Sequence, residues 1–596
     1  MTCNSVNSLK VGSKVIHACT SDRANRRQLL HRKERSDFKM LPSCRVGLLV
    51  LTAPVHQLNG RISPILNYAA TRIQETLYVQ LHPGLESDSV GQYKPSIHPV
   101  TQDICATISA IYVKSALLSG QDVRILLNNF GNRARVLAPP RTLPREVGLI
   151  MTDCEAKGKL QDLLTSWFVL PTNPELEVIS ENVWSKSQQT NDNEKDGSND
   201  STNRGTKLVD TSEVKTHRHV VLGGTFDGIH VGHKILLSES AIRAEDKITI
   251  GVTDGPMLQR KKLPELIHAL DSRLSSVRDF LKDVKPHILH SDSVVPITDP
   301  FGPSIVDPEM SCIVVSEETR GGGNSVNKRR KEKGLCILDV HEIPLIEDIN
   351  HAANEETKIS SSSQRIRRLG TLLKTPETKD QPVTPYVIGL TGGIASGKSS
   401  VCRRLEGLGA AVIDCDKLGH KAYLPGTQGF RRVVTEFGQD VVGSDGSINR
   451  RALGAKVFQD RSRLDRLNQI VWPEIASMAK EEIRILGNGG CLVCVLDAAV
   501  LLEARWEEFC HEVWSCIIHK DEALKRILQR DRLPEEKAKQ RIESQLSNQE
   551  RVDNSNLIFC TLWEPEITQK QVEKAWTSLM ERLPEQQQPK PEQPKL

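Results

Sequence analysis

Residues 389–401 read GLTGGIASGKSSV and contain Gly392-x-x-x-x-Gly397-Lys398-Ser399, directly after the apolar run Tyr386–Leu390 and directly before a helix-like stretch. Strand, glycine-rich loop and helix in that order predict a phosphate-binding P-loop. Its glycines let backbone N–H groups curl around a polyphosphate. Lys398 reaches the outer phosphates, and Ser399 offers its hydroxyl to Mg²⁺. The expected contact set is Gly392, Gly393, Ile394, Ala395, Ser396, Gly397, Lys398, Ser399 and Ser400, with ATP as the ligand. Such a loop also commits this part of the chain to a parallel α/β sheet.

The chain has 596 residues, room for three or four domains at roughly 150 residues each. A formal charge of +4 and the absence of a basic patch interleaved with aromatics argue against a nucleic-acid partner. The cysteines read as reduced, mostly buried thiols of an intracellular protein, with no structural zinc site indicated. The longest apolar stretches, such as Val46–Val55, are about half the roughly 20 residues that cross a bilayer, so no transmembrane segment is expected.

Texture divides the chain. Residues 1–44 carry nine Lys/Arg against three acidic residues, as an organelle-targeting leader or a disordered basic tail would. The expected location is cytoplasmic, with mitochondrial association through that leader. Residues 45–180 alternate strand-like runs (RVGLLVLTAPV, LYVQLHP, DVRILLNN) with helical stretches such as Ile104–Leu118, and read as an α/β domain without a catalytic constellation. Its role is left open, with signalling-protein partners as one candidate. Residues 181–209 are too polar to bury a core and read as a disordered linker. A second linker is expected at 375–385 and a disordered Pro/Gln-rich tail at 583–596. Two chemistry-bearing blocks remain, 210–374 and 386–582.

In the first block a short strand signal runs into Gly223-Gly224-Thr225-Phe226-Asp227-Gly228-Ile229-His230-Val231-Gly232-His233 and an apolar helix start. Two histidines at i and i+3 on one face of a helix N-terminus make an anion site with imidazoles attached. Phosphate suits that setting better than a metal. The segment resembles the HxGH nucleotidyltransferases, phosphopantetheine adenylyltransferase in particular. The second half of that signature stands here as Ile359-Ser360-Ser361-Ser362-Ser363-Gln364-Arg365. The resemblance implies a Rossmann-like doubly wound sheet. It also implies a cradle of Gly224, Thr225 and Phe226, with Thr225 and His233 at the α-phosphate and His230 at the departing phosphates. Ser361, Ser362 and Arg365 would hold the β/γ end. Because the acceptor is already an anion, catalysis should rest on positioning and charge stabilisation. Lys261 and Lys262 are the candidates for the acceptor phosphate.

In the second block Asp414 and Asp416 follow a strand, AAVI, at the end where ligands of α/β sheets sit. A DxD beside a P-loop suits a small-molecule kinase, in which one Asp orients or deprotonates the acceptor hydroxyl; an Asp after a strand also serves as a helix N-cap. Downstream come an apolar strand ending in Asp497, then Leu501-Leu502-Glu503, and a stretch placing Arg526, Arg530 and Arg532 where a lid would close over phosphates. Together these residues resemble dephospho-coenzyme A kinase. The resemblance implies Lys398 and Ser399 at ATP and Mg²⁺, Asp416 as base for the ribose 3′-hydroxyl, and Arg526, Arg530 and Arg541 at phosphate charge. Asp414 and Arg541 join the acceptor side, and Asp497, which departs from the family pattern, is left outside the catalytic core.

The product of the first implied reaction is the substrate of the second. The fused pair, preceded by an extra amino-terminal region, resembles the bifunctional coenzyme A synthases of animals. That resemblance implies adenylyl transfer from ATP to 4′-phosphopantetheine, then phosphorylation of dephospho-coenzyme A, in a monomer needing ATP and Mg²⁺. The alternatives are a fusion acting on other small molecules, or a signalling scaffold with one degenerate site.

Overall fold

A computed structural model describes residues 44–85, 95–116, 118, 120–132, 140–170, 174–185, 212–379, 384–457 and 460–583. The leader (Cys44 apart), most of the 181–209 linker and the tail after Leu583 lie outside them. Within the linker, Asn182–Ser185 forms one helical turn whose Val183 packs on the first core.

Three five-stranded sheets follow one another along the chain, every pairing parallel. The first has β1 (Cys44–Leu51), β2 (Ile73–Leu81), β3 (Asp122–Leu126), β4 (Leu149–Thr152) and β5 (Glu175–Val178) in the order β3-β2-β1-β4-β5. The second has β6 (His217–Gly224), β7 (Ala244–Thr253), β8 (Val294–Ile297), β9 (Cys312–Ser316) and β10 (Asp339–Ile343), ordered β10-β9-β6-β7-β8. The third, ordered β12-β13-β11-β14-β15, has β11 (Tyr386–Gly392), β12 (Ala411–Asp414), β13 (Val493–Asp497), β14 (Glu512–Ile517) and β15 (Leu557–Cys560). The multidomain α/β class expected from the apolar runs is the one observed. Central strands such as Leu48–Leu51 and Val387–Gly392 are buried along their length, because helices cover both faces of a parallel sheet. In each of the second and third sheets the first strand of the unit (β6, β11) lies centrally and its glycine-rich end delivers the functional loop.

The first two sheets share one hydrophobic core, which includes Ile104, Ile108 and Tyr112 on one side and Ile235, Ile242, Val277 and Phe280 on the other. Polar contacts fix the joint. Asp283, fully buried, accepts from Arg124 at 2.5 Å and from Arg145 at 2.9 Å. Lys234 donates to Asp122 at 2.6 Å and to the Val123 carbonyl at 3.1 Å. The Leu127 N–H meets the Val284 carbonyl at 2.8 Å. The second and third units meet through a smaller apolar cluster including Leu266, Leu369, Ile517 and Ile558. Asn548 donates across it to Glu265 at 3.0 Å. Lys379, in the stretch read as a linker, donates to the carbonyls of Glu507 and Cys510.

The cysteines among the described residues are free. The spacing Cys491-x-x-Cys494 leads into β13, where Cys494 is buried and Cys491 donates to the Val493 carbonyl. No helix among the described residues is long and apolar enough to cross a membrane.

Breaking a buried pair leaves the partner charges unpaired, at about 3–5 kcal/mol. Asp283→Ala should therefore lower the unfolding free energy by about that much in denaturant titration, whereas Arg45→Ala, which removes an exposed pair with Glu75, should leave it nearly unchanged.

Candidate active sites

The second sheet ends at Gly224 in a loop leading to the helix Val231–Arg243. His230 is the N-cap of that helix, its Nδ1 accepting the His233 N–H at 3.3 Å. The His230 and His233 rings stack at 3.8 Å between centroids. Gly232 permits this fold-back, since a Cβ there would stand 3.2 Å from the His230 ring. Gly228, at φ +67°, turns the loop so that its carbonyl meets His233 Nδ1 at 3.3 Å.

A second helix N-terminus faces the first. Ser360 caps the helix Ser361–Arg368, accepting the Ser363 N–H at 3.1 Å, and Ser361 Oγ lies 3.4 Å from His230 Nε2. The two halves of the motif, far apart in sequence, thus meet. Burial drives His230 well below the ordinary imidazole range, aided by His233, and brings His233 down to about 4. Both rings are neutral at physiological pH, and two helix N-termini supply the positive end of the site. Thr225 stands at the strand end, 3.0 Å from the Thr253 hydroxyl, and Phe226 is buried beneath the loop at φ +50°.

Arg365 is committed. It donates to Asp227 at 2.5 Å, to the Lys262 carbonyl at 2.8 Å and to Ser362 Oγ at 3.4 Å. Burial opposes the Asp227 charge, yet hydrogen bonds from the His268 ring, the His268 N–H and Arg365 outweigh it and hold its pKa at about 2. Arg365 therefore braces the loop that bears Lys261 and Lys262, both exposed. Lys358, which sequence reading passed over, lies near enough for their charges, after burial, to lower its pKa, and it is ion-paired with Glu318 and, at 3.4 Å, with Glu356.

In the third sheet, β11 ends in the glycine loop and the helix Lys398–Gly407. Gly397, at φ +85°, is backed by Thr561, which a Cβ would meet at 2.6 Å. Lys398 forms an ion pair with Asp497 at the end of β13. Burial works against the lysine's charge, but Asp497 outweighs it and raises its pKa, with a smaller push from Asp416. Asp414 and Asp497 are register partners across β12 and β13. Asp414 is the N-cap of Cys415–Lys421, accepting the Lys417 N–H at 3.0 Å, while Asp416 is exposed one residue into that helix.

Arg526 grips the loop rather than open space, donating to the Ala395 carbonyl at 3.2 Å, to Thr561 Oγ1 at 2.9 Å and to the Thr561 carbonyl at 2.6 Å. Arg530 pairs with Asp531 at 2.7 Å, with Arg541 3.7 Å from the same carboxylate. Two residues invisible to motif reading complete the site. Gln545 Oε1 accepts the Ile394 N–H at 2.7 Å. Arg551 is fully buried, 3.8 Å from Glu503, and none of its three guanidinium nitrogens meets an acceptor among the described residues. A Cβ on Gly393 would lie 4.0 Å from its Nε. Ser396 Oγ is likewise buried and unmatched. Their spacing in sequence carried no signal, because both come from beyond the lid and reach the loop only through the fold.

These two cradles define the class: an α/β transferase with a nucleotidyltransferase site and a P-loop phosphotransferase site on one chain. Family models match in the same places. One described as cytidylyltransferase-like covers residues 221–369, one described as dephospho-CoA kinase covers 386–561, and one described as the COASY N-terminal domain covers 45–162. The dephospho-CoA kinase of Geobacter sulfurreducens is 38% identical over 190 residues, 32% of this chain and 96% of its own. That of Symbiobacterium thermophilum is 39% identical over 190 residues, 32% of this chain and 80% of its own. A solved dephospho-CoA kinase from Campylobacter jejuni aligns with 33% of this chain and 96% of its own at 23% identity and a TM-score of 0.27. The chain belongs to the dephospho-CoA kinase family, and its three matched models together are those of a bifunctional coenzyme A synthase.

A buried guanidinium without acceptors is costly unless an anion meets it. Arg551→Met should leave the unfolding temperature of the nucleotide-free protein unchanged or higher, and weaken nucleotide binding to the third unit about tenfold or more. A steep fall in unfolding temperature with unchanged binding would make Arg551 structural.

Proposed function

We propose that residues 210–374 transfer an adenylyl group from ATP to 4′-phosphopantetheine, and that residues 386–582 phosphorylate the resulting dephospho-coenzyme A on its ribose 3′-hydroxyl. The observation carrying this reading is the pair of strand–loop–helix anion cradles, one lined by stacked neutral histidines and a serine-capped helix, the other by Lys398 and an aspartate pair.

In the first reaction an acceptor phosphate oxygen attacks the α-phosphorus of ATP and pyrophosphate leaves. Thr225 and His233 stand at the α-phosphate, and His230 and Ser361 at the leaving phosphates, joined by Ser362. The His233 Nδ1 is held by the Gly228 carbonyl, so Nε2 points to the substrate. Charge gathering on the bridging oxygen raises the pKa of the ring, which takes up a proton from solvent at Nε2, and His233 then donates from both nitrogens. Lys261, Lys262 and Lys358 hold the acceptor phosphate. Arg365 acts through Asp227 and the 262 carbonyl to keep that loop in place.

In the second reaction the 3′-hydroxyl attacks the γ-phosphorus. Asp416 takes its proton and ADP leaves. Lys398 exchanges Asp497 for phosphate oxygens, and Arg551 and Ser396 find their acceptors there. Arg526 keeps the loop shaped, while Arg530 and Arg541 lie outward as lid cations. Mg²⁺ fits the donor set: the Ser399 hydroxyl with the carboxylates of Asp416 and Asp497 offers the hard oxygens it requires. When bound, it neutralises phosphate charge. Both cradles keep their chemistry-bearing side chains, which argues against a scaffold with one dead site. The expected setting is a soluble monomer in the cytoplasm, with mitochondrial association resting on the basic leader.

Mass analysis of protein incubated with 4′-phosphopantetheine and Mg-ATP should show dephospho-coenzyme A and then coenzyme A. Lys398→Ala should stop at the intermediate. His233→Ala should slow its formation about 10²-fold and still convert added dephospho-coenzyme A. Loss of both steps in either variant would contradict two separate sites.

A further inference from the structure

The first sheet, which carries no motif, repeats the second strand for strand. Numbered from its own first strand, each runs third-second-first-fourth-fifth with every pairing parallel. The crossovers correspond as well. Helices Val55–Ala70 and Gln102–Ser115 match Val231–Arg243 and Leu270–Val284, and Lys157–Trp167 matches Arg320–Glu332. Between them, neither third crossover has an α-helix among the described residues.

The strand end where the second sheet has Thr225 carries Thr52 in the first. No histidine pair follows it. Instead the Asp153 carboxylate, from the loop after β4, accepts the Thr52 N–H at 2.7 Å, the Ala53 N–H at 3.0 Å and the Thr52 hydroxyl at 2.9 Å. The donors that would greet a phosphate are taken by a carboxylate whose charge repels one. This copy of the cradle is closed to anions by its own side chain.

The same domain is nevertheless applied to the working site. A cavity of about 410 Å³ opens between the two units, with Lys114 and Gln121 of the first facing His230, Lys234 and Gln364 of the second. That volume lies within the roughly 300–1,000 Å³ of small-ligand sites. Its wall also includes Ile229, Ile346 and Ile359, apolar faces suited to a flat aromatic base. His230 belongs to both the cavity and the phosphate cradle, so a nucleotide with phosphates on the cradle leads its nucleoside into this space. The wall is held firmly. Lys234, next after His233, is tied to Asp122 and to the Val123 carbonyl, and the Tyr112 hydroxyl lies 3.1 Å from Ser238 Oγ.

We propose that the first domain is a catalytically silent copy of the nucleotidyltransferase fold that walls the nucleoside end of the ATP site, with Lys114 and Gln121 as its ATP-facing residues. This rests on the assignment of adenylyl transfer to the second unit. Lys114 is half-buried in the cavity wall and anchored by a 2.7 Å donation to the Asn59 carbonyl. Reversing its charge should repel ATP from this site alone.

The test uses the full chain and its built-in control, since each half-reaction consumes its own ATP. With 4′-phosphopantetheine as acceptor, Lys114→Glu should raise the KM for ATP about tenfold with kcat held. With dephospho-coenzyme A as acceptor, the KM for ATP should stay at the wild-type value. Lys114→Arg should behave as wild type, and Gln121→Trp, which fills the cavity, should act as Lys114→Glu does. In a Lys398→Ala chain, calorimetric titration with ATP should show the same weakening without any acceptor. That arm separates the two claims: wild-type failure to use 4′-phosphopantetheine sinks the substrate assignment, while an ATP affinity indifferent to both variants sinks the wall. An equal rise of KM in both half-reactions would also overturn it.

Discussion

A polyphosphate brings several negative charges into a protein, and only donors fixed beforehand can hold it without a large reorganisation. A parallel sheet supplies such donors cheaply, because each strand runs into a loop and then into the positive end of a helix. This chain uses that device three times. At Gly224–His233 and at Gly392–Ser399 no carboxylate takes the backbone donors among the described residues, the His233 N–H meeting His230 and the Ile394 N–H meeting Gln545 instead. At Thr52–Ala53 they are consumed by Asp153. Whether a unit is a site or a wall turns on that one difference.

The two open cradles treat charge differently. At the first, burial keeps His230 and His233 neutral, so the empty site carries little uncompensated charge and gains its cationic character as the anion charges the ring. At the second, full charges are already in place. Lys398 is parked on Asp497, while Arg551 is buried 3.8 Å from Glu503 with no hydrogen-bond acceptor among the described residues. A phosphate arriving there exchanges one partner and supplies another, so much of its binding energy comes from relieving unmatched groups. Adenylyl transfer brings two anions together, so the neutral histidine cradle works beside a loop that carries the exposed cations Lys261 and Lys262. Kinase chemistry with a neutral hydroxyl acceptor tolerates the stronger cationic field.

What could be read directly from sequence was whatever is local. The P-loop, the HVGH helix start and the serine-capped helix each lie within a dozen residues, and their donors are backbone groups whose positions follow from strand, turn and helix. The pairing of Ser361 with His230 was legible only through family resemblance. Arg551 and Gln545 were not legible, since Arg551 lies on the helix Asn548–Asp553, which packs on β14, and Gln545 lies just before that helix, so only the fold brings them to Gly393 and Ile394. Arg365 and Arg526 look like phosphate ligands by type, yet tertiary contacts with Asp227 and with the Ala395 and Thr561 backbone claim their guanidinium groups. The first domain was the least legible part. Its strand order has no signature in composition, and the carboxylate that closes its cradle lies 101 residues from the threonine it binds.

The joint between the first two units, Asp122 with Lys234 and Asp283 with Arg124 and Arg145, makes the silent copy and the working one a single body, with the kinase unit docked on the far side of the Lys262 loop. The central claim is that two nucleotide sites act in sequence on one carrier, and isotopic fate tests it most directly. With ATP labelled at the α-phosphorus, label should appear in the diphosphate bridge of coenzyme A. With ATP labelled at the γ-phosphorus, it should appear in the 3′-phosphate and in released pyrophosphate. Coenzyme A carrying neither label, or carrying γ-label alone from 4′-phosphopantetheine, would contradict the account.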